Sequence, residues 1–216
     1  MRKLASLAAV AALSAGLSVP ALAQDSQDVN VEVFDRIDAA GSFRVILLQG
    51  DSHSVRLDGD GDDFAEIEVS VRRGELELDQ DTRWFGNNPR LDVTVYVTAP
   101  DFTHMDFGRG VGAEVRDFDT AELDLEISTG AVARLTGTCD ELDLSMSTGG
   151  VLYADSFVCA RVYARASTGA TGDVHATAHA DVRASMGASY DVYGNPDYRE
   201  LRSTMGASVR LVRPRS

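Results

Sequence analysis

The sequence has 216 residues and a formal net charge of -14, and 44% of its residues are hydrophobic. An excess of acidic residues this large repels nucleic acid and anionic lipid, so the composition predicts no nucleic-acid partner. It is typical of a soluble protein, and it leaves open an acidic surface that binds cations or adheres to a partner. The length is sufficient for one large domain or two small ones.

Residues 1–23 have the features of a secretory signal peptide. Two positive charges, Arg2 and Lys3, precede an apolar run that ends in Ala-Leu-Ala at 21–23, a small-residue cleavage pattern. The apolar run is too short to anchor the chain in a membrane, and no other stretch of about 20 apolar residues follows it. The sequence therefore predicts cleavage after Ala23, a periplasmic or secreted location and no membrane span.

Residues 24–30 are polar and are predicted to be flexible. The segment 31–100 alternates apolar and polar residues over short runs, which predicts leading strands and hairpins. Within it, "IEVSVRRGELELD" at 67–79 predicts a hairpin, and "LDVTVYVTAP" at 91–100 predicts a strand closed by Pro100. No segment of about 12 residues has a helical period, so the chain is predicted to be all-β.

The densest acidic run is "DGDGDD", Asp58 to Asp63, in the leading segment. Alternating Asp and Gly can wrap a hard cation such as calcium, which takes about 6 to 8 oxygen ligands. The run lacks the Gly and Glu that an EF-hand loop requires at its sixth and twelfth positions, where Asp63 and Val69 stand. A solvated connection between strands is the favoured interpretation, and calcium binding is the alternative.

The only tryptophan, Trp84, stands beside Phe85 in the polar loop "TRWFGNNP". Exposed aromatic side chains are common contacts for sugars and protein partners. They can equally fold back and cover the open end of a repetitive sheet. The loop is predicted to be either a binding loop or a cap.

Residues 101–216 repeat one short phrase, which reads "ISTGA", "MSTGG", "ASTGA", "ASMGA" and "STMGA" in chain order. Residues at odd distances from the phrase's glycine are mostly apolar, and those at even distances carry the charges. Two strand arms therefore meet at a bend where glycine supplies backbone angles that other residues avoid. Gly169→Val is predicted to strain this bend and to clash with the neighbouring one. The glycines recur at intervals of 18 to 20 residues, at Gly110, Gly130, Gly149, Gly169, Gly187 and Gly206.

Each repeat of about 19 residues has one apolar face, which it can bury only by stacking on its neighbours. This arrangement is typical of a β-solenoid. Residues 31–216 are therefore predicted to form one domain in which 101–216 are regular turns. A β-sandwich with evenly spaced strands is the alternative, but it would not predict that the parity is kept through six turns.

The repeat also makes a prediction about the two cysteines, Cys139 and Cys159. Each lies 10 residues before the glycine that follows it, Gly149 and Gly169 respectively, so both occupy one position of adjacent turns. Stacked residues have Cα atoms about 4.8 Å apart, within the range that a disulfide accepts. In an exported protein the pair is predicted to be bonded, and two packed free thiols are the alternative.

A column of three arginines, Arg165, Arg183 and Arg202, is the main candidate ligand face. The repeat places them at one outward position of successive turns, with Asp181 and Glu200 on the same face. Mutual neutralisation is one interpretation. The functional interpretations are a face that binds sugar acids or the basic residue of a polysaccharide lyase. The sequence predicts no catalytic residues, no metal and no cofactor.

Three features together resemble the head GIN domain family of exported bacterial proteins. They are the segment "FDRIDAAGSFRVILLQGDSHSVRL", the strand "LDVTVYVTAPDFTHMDFGRGVGAEV" and the glycine-centred repeats. The resemblance covers nearly all of residues 31–212. It implies a right-handed β-helix-like fold similar in shape to pectate lyases, a role in adhesion, and no established catalytic residues. The family's Gly-Ile-Asn tripeptide is absent from this sequence.

The sequence and the resemblance together predict an exported, non-enzymatic β-solenoid that acts in adhesion or envelope binding. Its expected partner is a glycan, an envelope polymer or a surface protein. The alternatives are a carbohydrate-active enzyme of pectate-lyase-like shape and a purely structural envelope protein.

Overall fold

The structure is a computed structural model, and it describes residues 25–80 and 89–212. Those residues form sixteen strands, all in one sheet, and one short 3-10 helix, Gly61–Glu66, so the all-β prediction is confirmed. The strands are β1 (Asp25–Val29), β2 (Arg36–Ala40), β3 (Arg44–Gln49), β4 (Ser54–Gly59), β5 (Ile67–Arg72), β6 (Glu75–Gln80), β7 (Val93–Ala99), β8 (His104–Gly108), β9 (Gly112–Ile127), β10 (Val132–Met146), β11 (Val151–Tyr153), β12 (Phe157–Ala166), β13 (Thr171–Ala184), β14 (Ser189–Tyr193), β15 (Tyr198–Ser203) and β16 (Ser208–Leu211).

From β8 onward the chain winds as a β-solenoid in which every strand pairing is parallel. The solenoid has about 5 turns of roughly 20 residues, which confirms the predicted architecture and repeat length. Stacked strands lie about 4.8 Å apart, so equivalent residues of successive turns form columns along the long axis.

One turn of the solenoid, residues 112–131, has three sides and a tight turn. In β9 the alternation of buried and exposed side chains is interrupted at 116–117 and again at 121–122, so the strand bends at both places. We call residues 112–116 and their equivalents the first side, 118–120 the second side and 122–127 the third side. The outward residues of the third side form the columns in which the candidate site lies.

The phrase that repeats in the sequence is the tight turn between the third side and the next first side. Thr129 and Gly130 have φ values of 48° and 75°, and the Ala131 N–H donates to the Ser128 carbonyl at 3.0 Å. Two successive positive φ values with this bond are features of a type I′ turn. The Gly130 N–H also donates to the Thr148 carbonyl at 3.1 Å, so a backbone ladder joins successive turns.

The parity predicted from the sequence is confirmed by burial. Leu125, Leu144 and Val182, which stand at an odd distance from their glycines, are buried in the core. In the last described turn Leu201 is only partly buried and Ser203 is exposed, because their strand β15 pairs with β13 alone.

The space around the tight-turn glycines differs from the expectation. Gly169 has a φ of 73°, which confirms that its backbone conformation favours glycine. A Cβ atom built on Gly169 meets no atom within 4 Å, so a neighbouring turn does not obstruct the first side-chain atom at this position. The tips of the tight turns point outward, where stacked turns leave room for a small side chain.

Gly169→Ala is therefore expected to lower the free energy of unfolding by only about 1 kcal/mol, because its sole cost is the left-handed conformation. Urea denaturation of the variant and the wild type measures this difference. A loss above about 3 kcal/mol would contradict an open turn, since it would require a steric cost as well.

The leading strands are not stacked in chain order. β2 lies between β6 and β8, and β3 lies between β7 and β9. β4 pairs antiparallel with β7, and β5 pairs antiparallel with β6 in the hairpin that the sequence predicted. These antiparallel pairings extend the stack beyond the N-terminal end of the regular turns.

Residues 25–29 do not have the flexible structure that their composition predicted. They form β1, which pairs antiparallel with β4 from Asp25 opposite Gly59 to Val29 opposite Val55. The backbone groups at a sheet edge bind another strand whatever its side chains are, so a polar segment can pair there. Composition did not indicate this strand, because it reports on side chains and not on backbone pairing.

Trp84 and Phe85 lie outside the described residues, so their predicted role as a binding loop or a cap stays a prediction. The two ends of their loop are joined by the buried side chain of Gln80. Its Oε1 accepts from the Ser42 N–H at 2.8 Å, and its Nε2 donates to the Pro89 carbonyl at 3.0 Å.

Candidate anion-binding groove

A groove of about 530 Å³ runs along the third side, beside the tight turns. Strand pairing places Ser145, Arg165, Arg183 and Arg202 in register on successive turns. The groove is lined by this column and by a second column of hydroxyl side chains two residues later, which we call the serine column. The serine column consists of Ser128, Ser147, Ser167, Ser185 and Thr204.

The column that contains the three arginines continues towards the N-terminal end of the solenoid, where its residues are carboxylates. We call the whole set the charge column, with an acidic half before Ser145 and an arginine half after it. In order of strand pairing it consists of Glu77, Asp38, Asp106, Glu126, Ser145, Arg165, Arg183 and Arg202.

The three arginines of the arginine half differ in their partners. Arg183 forms ion pairs with Asp181 at 2.8 Å and with Glu200 at 3.9 Å, and Arg202 also pairs with Glu200. Arg165 is exposed and has no carboxylate of a described residue within 4.0 Å. The expected neutralisation is therefore present at Arg183 and Arg202, whereas the charge of Arg165 acts on the carboxylate of Asp143 only from a distance beyond an ion pair.

An aromatic stack lies beside the arginine half. The His179 ring is stacked on the Tyr198 ring, with centroids 4.5 Å apart and planes 11° apart, and its centroid lies 5.2 Å from that of Tyr163. Tyr198 is exposed, so one end of the stack is open to solvent. The sequence analysis missed this stack, and Tyr163 could not have indicated it because Tyr163 belongs to a different column of the repeat. The signal was the pairing of His179 with Tyr198 on adjacent turns.

The acidic half places like charges on neighbouring strands. Burial, followed by the charges of Asp38 and Glu126, raises the pKa of Asp106 to about 6. Burial and the charge of Glu75 also raise the pKa of Asp38 above its ordinary value. Ionising these carboxylates therefore costs more in the folded chain than in the unfolded chain.

The free energy of unfolding is consequently expected to rise as the pH falls from 7 towards 5. Asp106 has a pKa of about 6 in the folded chain and an ordinary value of 3.8. Between these values the folded state binds its proton more tightly than the unfolded state, so protonation stabilises the fold. Asp106→Asn, which removes the charge, is expected to stabilise the chain at pH 7 by about 1 kcal/mol after solvent screening.

Thermal melting at pH 5, 6 and 7 measures both effects. The variant is expected to melt above the wild type at pH 7 and to depend less on pH. A variant that melts below the wild type at pH 7 would contradict repulsion within the acidic half.

The acidic run Asp58 to Asp63 forms the end of β4 and the start of the 3-10 helix. Asp60 caps this helix by accepting from the Asp62 N–H at 3.1 Å, and the Asp63 carboxylate accepts from the Asp92 N–H at 2.9 Å. These bonds favour a structural connection over a calcium loop. Among residues 25–80 and 89–212, no group of three or more His, Cys, Asp or Glu side chains is arranged to hold a metal ion.

Cys139 and Cys159 form the predicted disulfide. They face each other in register on β10 and β12, and their Cα atoms are 4.4 Å apart. Both are buried on the second side, so the bond joins two turns without contributing to the groove. The stacking of equivalent positions in the repeat is thereby confirmed at the level of single residues.

No helix in the described part of the chain has the length and apolar character needed to span a membrane.

Comparison with known proteins identifies the chain's relatives. The model of a family described as "Putative auto-transporter adhesin, head GIN domain" matches residues 33–196. A "putative adhesin" from Bacteroides fragilis NCTC 9343 has 17% identity and a TM-score of 0.69, with 89% of this chain and 99% of that chain covered. One from Parabacteroides distasonis ATCC 8503 has 12% identity and a TM-score of 0.49, with 88% and 97% covered. No curated protein matches the chain. At 17% identity, the Bacteroides structure shows a similar fold alone.

Proposed function

The chain belongs to the head GIN domain family, and from this premise we propose that it is an exported, non-enzymatic binding protein whose groove holds an acidic polysaccharide. The observation that carries the proposal is the arginine half of the charge column. It presents three guanidinium groups on successive turns, one of which, Arg165, has no carboxylate partner among the described residues.

Two features support export. Residues 1–23 have the charge, apolar run and cleavage pattern of a signal peptide. The Cys139–Cys159 disulfide is a bond that forms and persists in oxidising compartments such as the periplasm and the exterior. The family's description names an adhesin, and an envelope polymer is the partner that we propose for this chain.

The chemistry of the groove favours a carboxylated or sulfated sugar polymer. A guanidinium group donates two parallel hydrogen bonds to a carboxylate, and stacked turns repeat this donor about every 4.8 Å. The serine column adds hydroxyl groups along the same line. Tyr198 and His179 stack four residues before Arg202 and Arg183 along the same strands, and exposed aromatic rings of this kind pack against sugar rings.

The acidic half limits how the polymer can lie. A polyanion that continued along the axis beyond Ser145 would meet Glu126 and Asp106, whose charges repel it. The bound segment is therefore expected to cover the three arginine turns, roughly 10 Å of the axis, or to cross the side obliquely. The same repulsion disfavours long nucleic acids.

A glycan array tests the ligand class. The wild type is expected to bind oligogalacturonates and to ignore uncharged glucans, and sulfated glycans on the same array distinguish carboxylate from sulfate recognition. The triple variant Arg165→Gln, Arg183→Gln, Arg202→Gln is expected to bind at least about 1,000-fold more weakly, since charged hydrogen bonds contribute about 1.5 to 3 kcal/mol each. The matched control is Arg56→Gln, Arg116→Gln, Arg134→Gln, which removes three exposed arginines of the first-side strands β4, β9 and β10.

Mass analysis of the bound oligosaccharides tests the non-enzymatic part of the proposal. They are expected to be recovered at their original length after prolonged incubation. Shortened or unsaturated products would show a carbohydrate-active enzyme. Equal binding by the triple variant and the wild type would show that the groove is not the site.

A further inference from the structure

The charge column reverses its sign about Ser145. At one, two and three turns from Ser145, a carboxylate on one side matches an arginine on the other. In order of distance from Ser145 these pairs are Glu126 and Arg165, Asp106 and Arg183, and Asp38 and Arg202.

The two neighbouring columns follow a similar rule in part. In the column centred on Asp143, the residues one turn away, Asp124 and Tyr163, are not of opposite charge. The residues two turns away are a histidine and a carboxylate, and those three turns away are an arginine and a carboxylate. In the column centred on Glu141, the residues one turn away are a carboxylate and an arginine. These pairs are His104 and Asp181, Arg36 and Glu200, and Glu122 and Arg161.

A surface with this pattern is complementary to itself. Rotation by 180° about an axis parallel to the strands reverses the order of the turns and keeps each column opposite its own copy. Each of Glu126, Asp106 and Asp38 in the charge column then faces an arginine of the second copy, with Glu126 opposite Arg165 nearest the axis. On the central turn Asp143 and Glu141 face their own copies, and these two contacts between like charges oppose the attraction. We infer that the third sides of two copies of this chain pack face to face about such an axis at Ser145.

The unpaired charges of the single chain favour this partner. Arg165 has no carboxylate among the described residues within 4.0 Å, and Asp106 lies in register between Asp38 and Glu126, both of like charge. A second copy supplies the missing opposite charge to both halves at once, whereas an anionic polymer matches the arginine half alone. The serine column beside them has short side chains, which allow close approach.

The size of the surface is sufficient for a weak, specific dimer. The strands from Asp38 to Arg202 span six spacings of about 4.8 Å, and the outward residues of the third side cover roughly 20 Å along the strands. The product is roughly 600 Å² per copy, and the total of roughly 1,200 Å² lies at the lower limit of specific interfaces. Because its contacts are between exposed charges, the dimer is expected to dissociate at high salt.

Sedimentation velocity of the purified chain without polymer tests the inference. The wild type is expected to be dimeric at about 50 mM NaCl and monomeric at about 500 mM, where screening shortens the reach of the charges. Glu126→Arg and Arg165→Glu are each expected to be monomeric at low salt. In a dimer of either variant, residues 126 and 165 of facing copies would have like charges at both symmetry-related contacts. An equimolar mixture of the two variants is expected to sediment as a dimer, since residues 126 and 165 of one copy then face opposite charges at residues 165 and 126 of the other.

A matched control distinguishes an effect of charge on the third side from an effect of net charge alone. Glu114→Arg makes the same change in charge on the first side, and it is expected to dimerise like the wild type. A wild type that is monomeric at low salt would overturn the inference, as would single variants that remain dimeric. A variant mixture that stays monomeric would overturn the proposed axis. None of these results depends on whether the groove binds a polysaccharide.

Discussion

Gly137→Ala is expected to lower the free energy of unfolding by about 4 kcal/mol, a large effect for a single methyl group. Between Leu135 and Gly137 the pairing of β9 with β10 shifts by one residue, because β9 carries one residue more at its first bend. Gly137 adopts a φ of 130°, and a Cβ atom built on it would lie 2.0 Å from the Phe118 carbonyl oxygen. The added Cβ atom would overlap the backbone of Phe118, and this backbone cannot move away without separating the two turns.

Chemical denaturation of Gly137→Ala measures this effect, and Gly169→Ala is the matched control. Both changes add one methyl group to a glycine with positive φ, and only the first creates an overlap. The two variants are therefore expected to differ by about 3 kcal/mol. Equal destabilisation would contradict the close approach of the two turns at Phe118.

Replacing both cysteines, Cys139→Ala and Cys159→Ala, is expected to lower the free energy of unfolding by about 3 kcal/mol. The bond closes a loop with a sequence separation of 20 residues, and removing it gives the unfolded chain more conformational freedom. Alanine fits the buried positions without leaving an unpaired polar group, so the loss reports mainly the crosslink. Denaturation of the double variant beside the oxidised wild type measures it.

The state of the cysteines in the wild type is the control for this experiment. Intact mass after alkylation without reduction is expected to show no label. Two labels would show free thiols, and a double variant as stable as the oxidised wild type would show that the crosslink does not stabilise the fold.

The regular turns were predictable because one physical constraint is repeated many times. A residue such as Leu144 has the same environment as Leu125, so the alternation that buries one also buries the other. Cys139 and Cys159 could be paired from their spacing alone for the same reason. The repeat did not indicate Gly137, because its conformation depends on an extra residue in the neighbouring strand.

The leading strands were predictable as strands but not as a stack. Nothing in the alternation of residues 31–100 indicates that β2 lies between β6 and β8, since a strand pairs through backbone groups that every sequence carries. This limited what could be predicted about the candidate site. The arginine half lies within the repeat and was found from spacing, whereas Asp38 joins Asp106 only through the pairing of β2 with β8. The acidic half, and with it the sign reversal about Ser145, required the structure.

Arginine footprinting with phenylglyoxal, read by mass spectrometry, tests most directly whether the arginine half is the binding site. In dilute chain with saturating oligogalacturonate, modification of Arg165, Arg183 and Arg202 is expected to slow at least about tenfold, as for groups held in charged hydrogen bonds. Arg56 and Arg116, on the first-side strands, are expected to react at their unliganded rates. Protection of Arg83 and Arg90 instead, on either side of Trp84 and Phe85, would place the ligand at that loop and contradict the groove.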